Sequence, residues 1–182
     1  MILTDREIKI AIHRELIGLN PEPAGGAFSS TSVDLTLDPL IRLFRKEVGH
    51  GIIIDPGSTE FNFHEIVDLL TKSMIIETSF NLPPRKLLLA WTRESLSLPL
   101  HSRLAARVEG RSSLARLGIG IHLTAPTIHP GFVGQLQLEI VNHGLSDIVL
   151  RPGMAICQLI FETTLGTPSK AYSGKFSGQK AH

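Results

Sequence analysis

Gly134-Gln135-Leu136-Gln137-Leu138-Glu139-Ile140-Val141-Asn142 alternates polar and apolar side chains from Gln135 to Ile140. Successive side chains of a strand point to opposite faces, so Leu136, Leu138 and Ile140 share one face while Gln135, Gln137 and Glu139 share the other. The stretch therefore reads as a strand with one core face and one polar face. Working outward, Val33, Leu35 and Leu37 repeat the alternation, and Gly51-Ile52-Ile53-Ile54 and Lys86-Leu87-Leu88-Leu89 are apolar runs between breakers. The 16 glycines and 11 prolines fall between such runs, at Pro21, Pro23, Pro56-Gly57, Pro83-Pro84, Pro130-Gly131 and Pro152-Gly153, where turns are required. Many short strands with this punctuation predict a mainly β domain, a sandwich or barrel.

Two segments carry helical signals instead. Thr4-Asp5-Arg6-Glu7 has capping-box spacing, with Ile8, Ile12 and Leu16 following on one face and Gly18 as terminator. Asn62 and Glu65 repeat the cap spacing ahead of Phe63, Ile66, Val67 and Leu70, which predicts a helix over 62–73 that covers one end of a sheet. No internal repeat appears. Residues 166–182, rich in Gly, Ser and Lys, read as a mobile tail behind a domain of residues 1–165.

Composition narrows the function classes. The 182 residues suit one compact domain with a tail, and 18 Lys+Arg against 17 Asp+Glu give a net charge of +1, without the basic footprint of a general nucleic-acid binder. No N-terminal leader pattern is visible, and no stretch approaches the roughly 18 apolar residues of a membrane span. The single cysteine, Cys157, excludes an internal disulfide and a four-cysteine zinc site, and favours a reducing compartment, the cytoplasm.

The densest chemistry lies in Gly110-Arg111-Ser112-Ser113-Leu114-Ala115-Arg116-Leu117-Gly118. Ser112 or Ser113 capping a short helix that ends at Gly118 would gather two hydroxyls, two guanidinium groups and backbone N–H groups into an anion cradle. An ordinary capped helix with two solvated arginines answers to the same spacing. Glu139 is equally double-faced: a surface acid if its face meets solvent, a general base if that face lines a cleft. The eight histidines supply no zinc-deaminase pattern, because His13-Arg14-Glu15 lacks the downstream Pro-Cys-x-x-Cys that such enzymes use. His122 and His129 flank a turn without a third ligand, and neither a serine nucleophile elbow nor a Walker loop is present.

Taken together, these segments resemble the dCTP deaminase and trimeric dUTPase superfamily. The 110–118 stretch resembles the family's phosphate and pyrimidine motif nearly residue for residue. Ser32-Val33-Asp34-Leu35 resembles the first motif and His122-Leu123-Thr124-Ala125 the pyrimidine-reading hairpin. Arg151-Pro152-Gly153-Met154 with Gln158-Leu159-Ile160-Phe161-Glu162 resembles the fourth, and Tyr172-Ser173-Gly174-Lys175-Phe176-Ser177-Gly178-Gln179 the closing tail. The resemblance implies a distorted β-barrel of jelly-roll type with a short N-terminal helix and one or two further short helices. It also implies a homotrimer with active sites shared between subunits.

Inside the superfamily, the deaminase branch carries a glutamate where Leu138-Glu139 stands, and the dUTPase branch relies on an aspartate where this chain has His129. Thr127 likewise stands where deaminases often have arginine. The resemblance thus implies zinc-independent deamination of dCTP to dUTP and ammonia, with dUTPase or combined activity, or nucleotide binding without turnover, as the other readings. Glu139 would shuttle the proton, while Ser112 and Arg116 orient water and stabilise the adduct. Arg111, Ser113, Lys175 and Gln179 would hold a triphosphate arriving with Mg²⁺. Thr124 and Ala125 would read the base edge through backbone groups, and His122, His129, Gln137, Leu138, Gln158 and Tyr172 complete the implied substrate contacts, with Phe176 sealing alongside Tyr172. The resemblance further implies dTTP as a feedback inhibitor.

Overall fold

The computed structural model describes residues 1–48, 51–170, 172, 178, 180 and 181. In chain order the elements are α1 (Asp5–His13), β1 (Gly18–Asn20), β2 (Phe28–Ser29), β3 (Ser32–Phe44), α2 (Phe63–Leu70), β4 (Thr71–Ile75), β5 (Phe80–Leu82), β6 (Leu87–Ser97) and β7 (Leu104–Gly110). They continue with α3 (Ser112–Ala115), β8 (Ile119–Gly120), β9 (Thr127–Ile128), β10 (Val133–Asn142), β11 (Ile148–Leu150) and β12 (Ala155–Thr163). Seven strands form one antiparallel path in the order β8-β10-β6-β3-β12-β7-β9, with β1 on β6, and β2 and β4 on β3; β5 and β11 make a separate pair. The fold is mainly β with short helices, as the alternation and the turn punctuation predict.

The long strand β3 lets the sheet curl. Its first half pairs with β12, from Val33↔Leu159 to Thr36↔Ala155, and its second half pairs with β6, through Ile41↔Ala90 to Leu43↔Leu88. The irregularity between Leu37 and Ile41 contains Pro39, which cannot donate to a ladder, so one strand bends and serves both halves of the sheet. The concave side is filled by Leu35, Leu37, Leu88, Leu138, Ile140 and Phe161, each 0% exposed. Burying each of these side chains contributes roughly 1.5–3 kcal/mol before entropy is charged against it.

β10 behaves as its sequence dictates: Leu136, Leu138 and Ile140 are buried, whereas Gln135, Gln137 and Glu139 are half-buried on the opposite face. Three expectations need correction. The isoleucines of 51–54 form no strand; they lie in an exposed loop, Ile53 at 95% exposure, since nothing in the described chain pairs with that run. The second helix ends at Leu70 rather than 73, because Thr71 begins the strand that pairs with β3 from Phe44 to Leu40. Its cap is as predicted, with the Asn62 side chain accepting from the His64 and Glu65 N–H groups and donating to the Glu65 carboxylate at 2.7 Å. Finally, α1 stops at His13, Glu15 taking the left-handed conformation at φ 57°, while Gly18 opens β1 instead of terminating the helix. Thr4 donates its hydroxyl to the Glu7 carboxylate, and its side chain accepts from none of the helix N–H groups.

Candidate active site

Glu139 enters the site because β10 lies antiparallel to β6, with Glu139 opposite Leu89, and its period of two turns residues 135, 137 and 139 off the core. A cleft of about 460 Å³ lies against this face. Glu139 is the one carboxylate in its wall among the described residues; Gln137, Ala125, Thr127, His129 and Tyr172 supply the other polar or small surfaces, and Phe63, Val108, Ile128, Phe132 and Leu136 supply the apolar ones. The Leu123 N–H donates to Glu139 Oε2 at 3.3 Å, which folds the 121–126 loop over the carboxyl group. Oε1 meets no donor among the described residues, so it is available to a water or a ring nitrogen in the cleft. Such a carboxyl group, enclosed on one oxygen and open on the other, can accept a proton from water and return it to a leaving group.

The second part of the site is the turn at α3. Arg111 occupies the cap position with an extended backbone, and its guanidinium pairs with Asp34 Oδ2 at 3.0 Å and reaches the Ala155 carbonyl at 3.4 Å. Neither serine caps the helix, contrary to the sequence expectation: Ser112 is its first residue, and the cap belongs to Arg111, anchored by Asp34. The hydroxyls of Ser112 and Ser113 and the guanidinium of Arg116 are consequently exposed and uncommitted among the described residues. None of Arg111, Ser112, Ser113 and Arg116 lines the cleft that holds Glu139. Within one chain, then, these groups and the Glu139 carboxylate do not share the wall of that cleft.

A main-chain clamp fixes the turn relative to β10. The His143 N–H donates to the Gly118 carbonyl at 2.7 Å, and Gly118, at φ +92°, lies so close to the next turn that a Cβ there would stand 2.5 Å from the Gly144 nitrogen. Asn142, 0% exposed, holds that turn: its Oδ1 accepts from the Gly144 N–H, and its Nδ2 donates to the Leu82 and Ser146 carbonyls, all at 2.9 Å. Leaving such groups unpaired in the interior costs about 1–3 kcal/mol each, which is the physical reason for an asparagine at this strand end.

The remaining predicted residues divide. His129 stacks on Tyr172 with ring centroids 5.9 Å apart, and Tyr172 also packs 6.0 Å from Phe132, so the three rings make one corner of the cleft. Thr124 and Ala125 lie exposed on the loop over Glu139, with Ala125 in the wall. His122 is half-buried, and its Nδ1 has no partner among the described residues. Gln158 is fully engaged elsewhere, accepting from the Ser32 hydroxyl at 2.9 Å and donating to the Gly110 carbonyl at 3.1 Å, which places it as a buttress beneath the Arg111 turn. The Leu138 side chain is in the core, so any contact it makes with a ligand comes from its main chain. Lys175, Gln179 and Phe176 lie outside the described residues.

Sequence reasoning missed the apolar wall and the clamp. Phe63 reads as one of several apolar residues on a helix, and nothing in its periodicity says that it lines the cleft. Asn142 and the pair Gly118 and Gly144 carry no local signal of their long-range partners. Cys157, opposite Gly110 across β12 and β7, is wholly buried; burial, with the carboxyl groups of Glu94 and Asp34 nearby, pushes its thiol far above the ordinary range and leaves it unsuited as thiolate ligand or nucleophile.

A curled antiparallel sheet of this topology defines the class of β fold that also builds the crystal structure of 2'-deoxycytidine 5'-triphosphate deaminase from Agrobacterium tumefaciens. The likeness has a TM-score of 0.68 at 21% identity, and covers 89% of this chain and 48% of that one. Residues 2–164 match the dCTP deaminase-like family model, and the chain belongs to that family. Among curated proteins it is 35% identical to the dCTP deaminase of Haemophilus ducreyi, over 96% of this chain and 90% of that one. It is 36% identical to the dUMP-forming dCTP deaminase of Methanobrevibacter smithii, over 93% of this chain and 83% of that one.

Proposed function

We propose that this protein adds water to C4 of the cytosine ring of dCTP and expels ammonia, giving dUTP. The observation that carries the reading is the Glu139 carboxyl group, held through Oε2 by the Leu123 N–H and facing an apolar cleft with Oε1 open. Family membership and relatives named as dCTP deaminases support the substrate. In the proposed chemistry Glu139 takes a proton from water as its oxygen bonds to C4, then passes a proton to the exocyclic nitrogen as the C–N bond breaks. Atoms balance as dCTP plus water to dUTP plus ammonia. Such a shuttle contributes on the order of 10²–10⁴ in rate.

Ser112 and Arg116 orient the water and the polar adduct, and Arg111, Ser113, Lys175 and Gln179 receive the triphosphate. Mg²⁺ arrives as part of the substrate, on phosphate oxygens and water. His122 and the backbone of the Thr124 and Ala125 loop face the base edge, Gln137 the ring, and His129 with Tyr172 the sugar end. The separation of the α3 turn from the Glu139 cleft supports a homotrimer in which one subunit's turn completes its neighbour's cleft. Feedback inhibition by dTTP and a cytoplasmic location belong to the same reading; among the described residues no helix is long and apolar enough to cross a membrane.

A second reading has its own support. The Methanobrevibacter smithii relative is named as dUMP-forming, so onward hydrolysis of dUTP to dUMP and pyrophosphate is the competing outcome. Purified protein incubated with dCTP and Mg²⁺, followed by nucleotide chromatography beside the Glu139→Gln variant, decides between them. Accumulation of dUTP that vanishes in the variant is the expected result. Formation of dUMP with pyrophosphate establishes the second reading, and unchanged dCTP and dUTP overturns both.

A further inference from the structure

The register of β10 against β6 breaks three residues before Glu139. Gln135 faces Ser95 and Gln137 faces Trp91, so Thr92, Arg93 and Glu94 of β6 lie across from Leu136 alone. An excess of one residue would turn every later side chain to the other face. An excess of two preserves the faces, so Gln137 and Glu139 stay on the cleft side while Thr92, Glu94 and Leu136 are buried. Such an irregularity leaves ladder groups without their regular partners, and here two side chains of β6 supply them. The Leu136 N–H donates to the Thr92 hydroxyl oxygen at 3.0 Å, and that hydroxyl donates to the Glu94 carbonyl at 2.8 Å, inside the extra segment itself. On the other edge of β6 the Glu94 carboxylate accepts from the Thr36 N–H at 2.8 Å and from the Thr36 hydroxyl at 2.7 Å. Thr92 is 0% and Glu94 5% exposed, so water has no ready access to take the place of either contact.

We infer that Thr92 is a positioning residue for Glu139: its hydroxyl pins Leu136 across the irregularity and so fixes the offset at which β10 carries Glu139 into the cleft. The hold on β10 stands on geometry alone; its effect on turnover rests on the deaminase reading. Across from Gln137 and Glu139 the side chains of Trp91 and Leu89 are buried, so the two cleft residues stand on a packed floor that passes on any change in offset. Glu139 meets the Leu123 N–H at 3.3 Å, a long contact that a small shift of the strand removes. The place at 92 needs an acceptor for Leu136 and a donor for Glu94 at once, which is what a hydroxyl on Cβ provides.

Two full-length variants and one measurement on the unsubstituted protein test this. Thr92→Val keeps the shape and deletes the hydroxyl, leaving the Leu136 N–H buried without its acceptor, whereas Thr92→Ser keeps the hydroxyl and gives up a methyl group. The readouts are amide hydrogen exchange resolved by NMR, and kcat and KM for dCTP. In the unsubstituted protein, where no variant has to fold, the Leu136 amide is expected to exchange as slowly as those of Leu138 and Ile140, which the period of two points toward the same neighbouring strand. In Thr92→Val it is expected to exchange about fivefold to tenfold faster, the shift that loss of one ordinary hydrogen bond gives a local opening equilibrium. There kcat is expected to fall about 10-fold to 10²-fold with KM within about twofold, the split that follows when a proton acceptor is displaced in a cleft that still binds. Thr92→Ser is expected to stay within about threefold of the unsubstituted protein in exchange and in kcat, because the hydroxyl is kept. A Leu136 amide that exchanges freely in the unsubstituted protein, a Thr92→Val protein with unchanged exchange or unchanged kcat, or a Thr92→Ser protein impaired as much as Thr92→Val overturns the inference. Selective loss of Leu136 protection in Thr92→Val, when the unsubstituted protein leaves dCTP untouched, upholds the hold on β10 and overturns the deaminase reading instead.

Discussion

The cleft beside β10 and the turn at α3 belong to one chain yet differ in almost every physical respect. The cleft is walled by Phe63, Val108, Ile128, Phe132 and Leu136 and holds a single carboxyl group among the described residues, so it suits an uncharged ring and a proton transfer. The turn is exposed and bears Arg116, Ser112 and Ser113, so it suits a polar adduct and phosphate oxygens. None of the turn's cations or hydroxyls lines the cleft that holds Glu139. Under the proposed function, the contrast teaches that each chain carries two half-sites, and that the complementary half comes from a second copy.

The largest effect expected from breaking this division is at Glu139. Replacing it with Gln keeps the cleft's shape and removes the proton acceptor, so kcat should fall by about 10²–10⁴ while dCTP binding, read by equilibrium titration, persists. Retained turnover would move the chemistry out of the cleft. Next comes Arg116→Ala, which should lower kcat on the order of 10²-fold, the usual loss for one donor aimed at developing charge. The sharper experiment mixes the two impaired proteins after mild dissociation and reassociation. If the halves meet between subunits, mixed assemblies contain some intact sites and turnover rises well above that of either protein alone; if both halves act within one chain, the mixture shows only the sum of the two residual activities.

Smaller effects probe how the turn is held. Gly118→Ala places a Cβ against the Gly144 nitrogen in a left-handed conformation, and should destabilise the fold by about 2 kcal/mol, a fall in Tm of about 4–8 °C. An unchanged Tm would mean that the clamp is loose. The smallest expected signal is at Cys157, beneath the turn: iodoacetamide should leave it unmodified in the folded protein and alkylate it fully in denaturant. Labelling of the native protein would show that the sheet under α3 opens.

What could be read from the sequence follows the range of the interactions involved. β10 was legible because alternation is a local property, and so was the Asn62 cap, whose partners lie two and three residues away. The 51–54 run misled because an apolar run signals a strand only when another strand is present to pair with it. The roles of Glu139 and of the 110–118 turn were named through family resemblance, since periodicity alone left each with a bland alternative. The aromatic corner of His129, Phe132 and Tyr172 and the clamp of His143 on Gly118 join groups whose meeting no repeat or spacing announces. No local pattern encodes those encounters, because they are decided by how β3 bends and how the sheet curls.

The clamp between Gly118 and Gly144 has a further consequence for how such a chain can diverge. Its contacts are made by main-chain atoms, a carbonyl to an N–H and one backbone laid against another, so they depend on two missing side chains more than on any that are present. The surface residues of the turn can therefore be exchanged over generations, while the frame that carries them keeps its bearing.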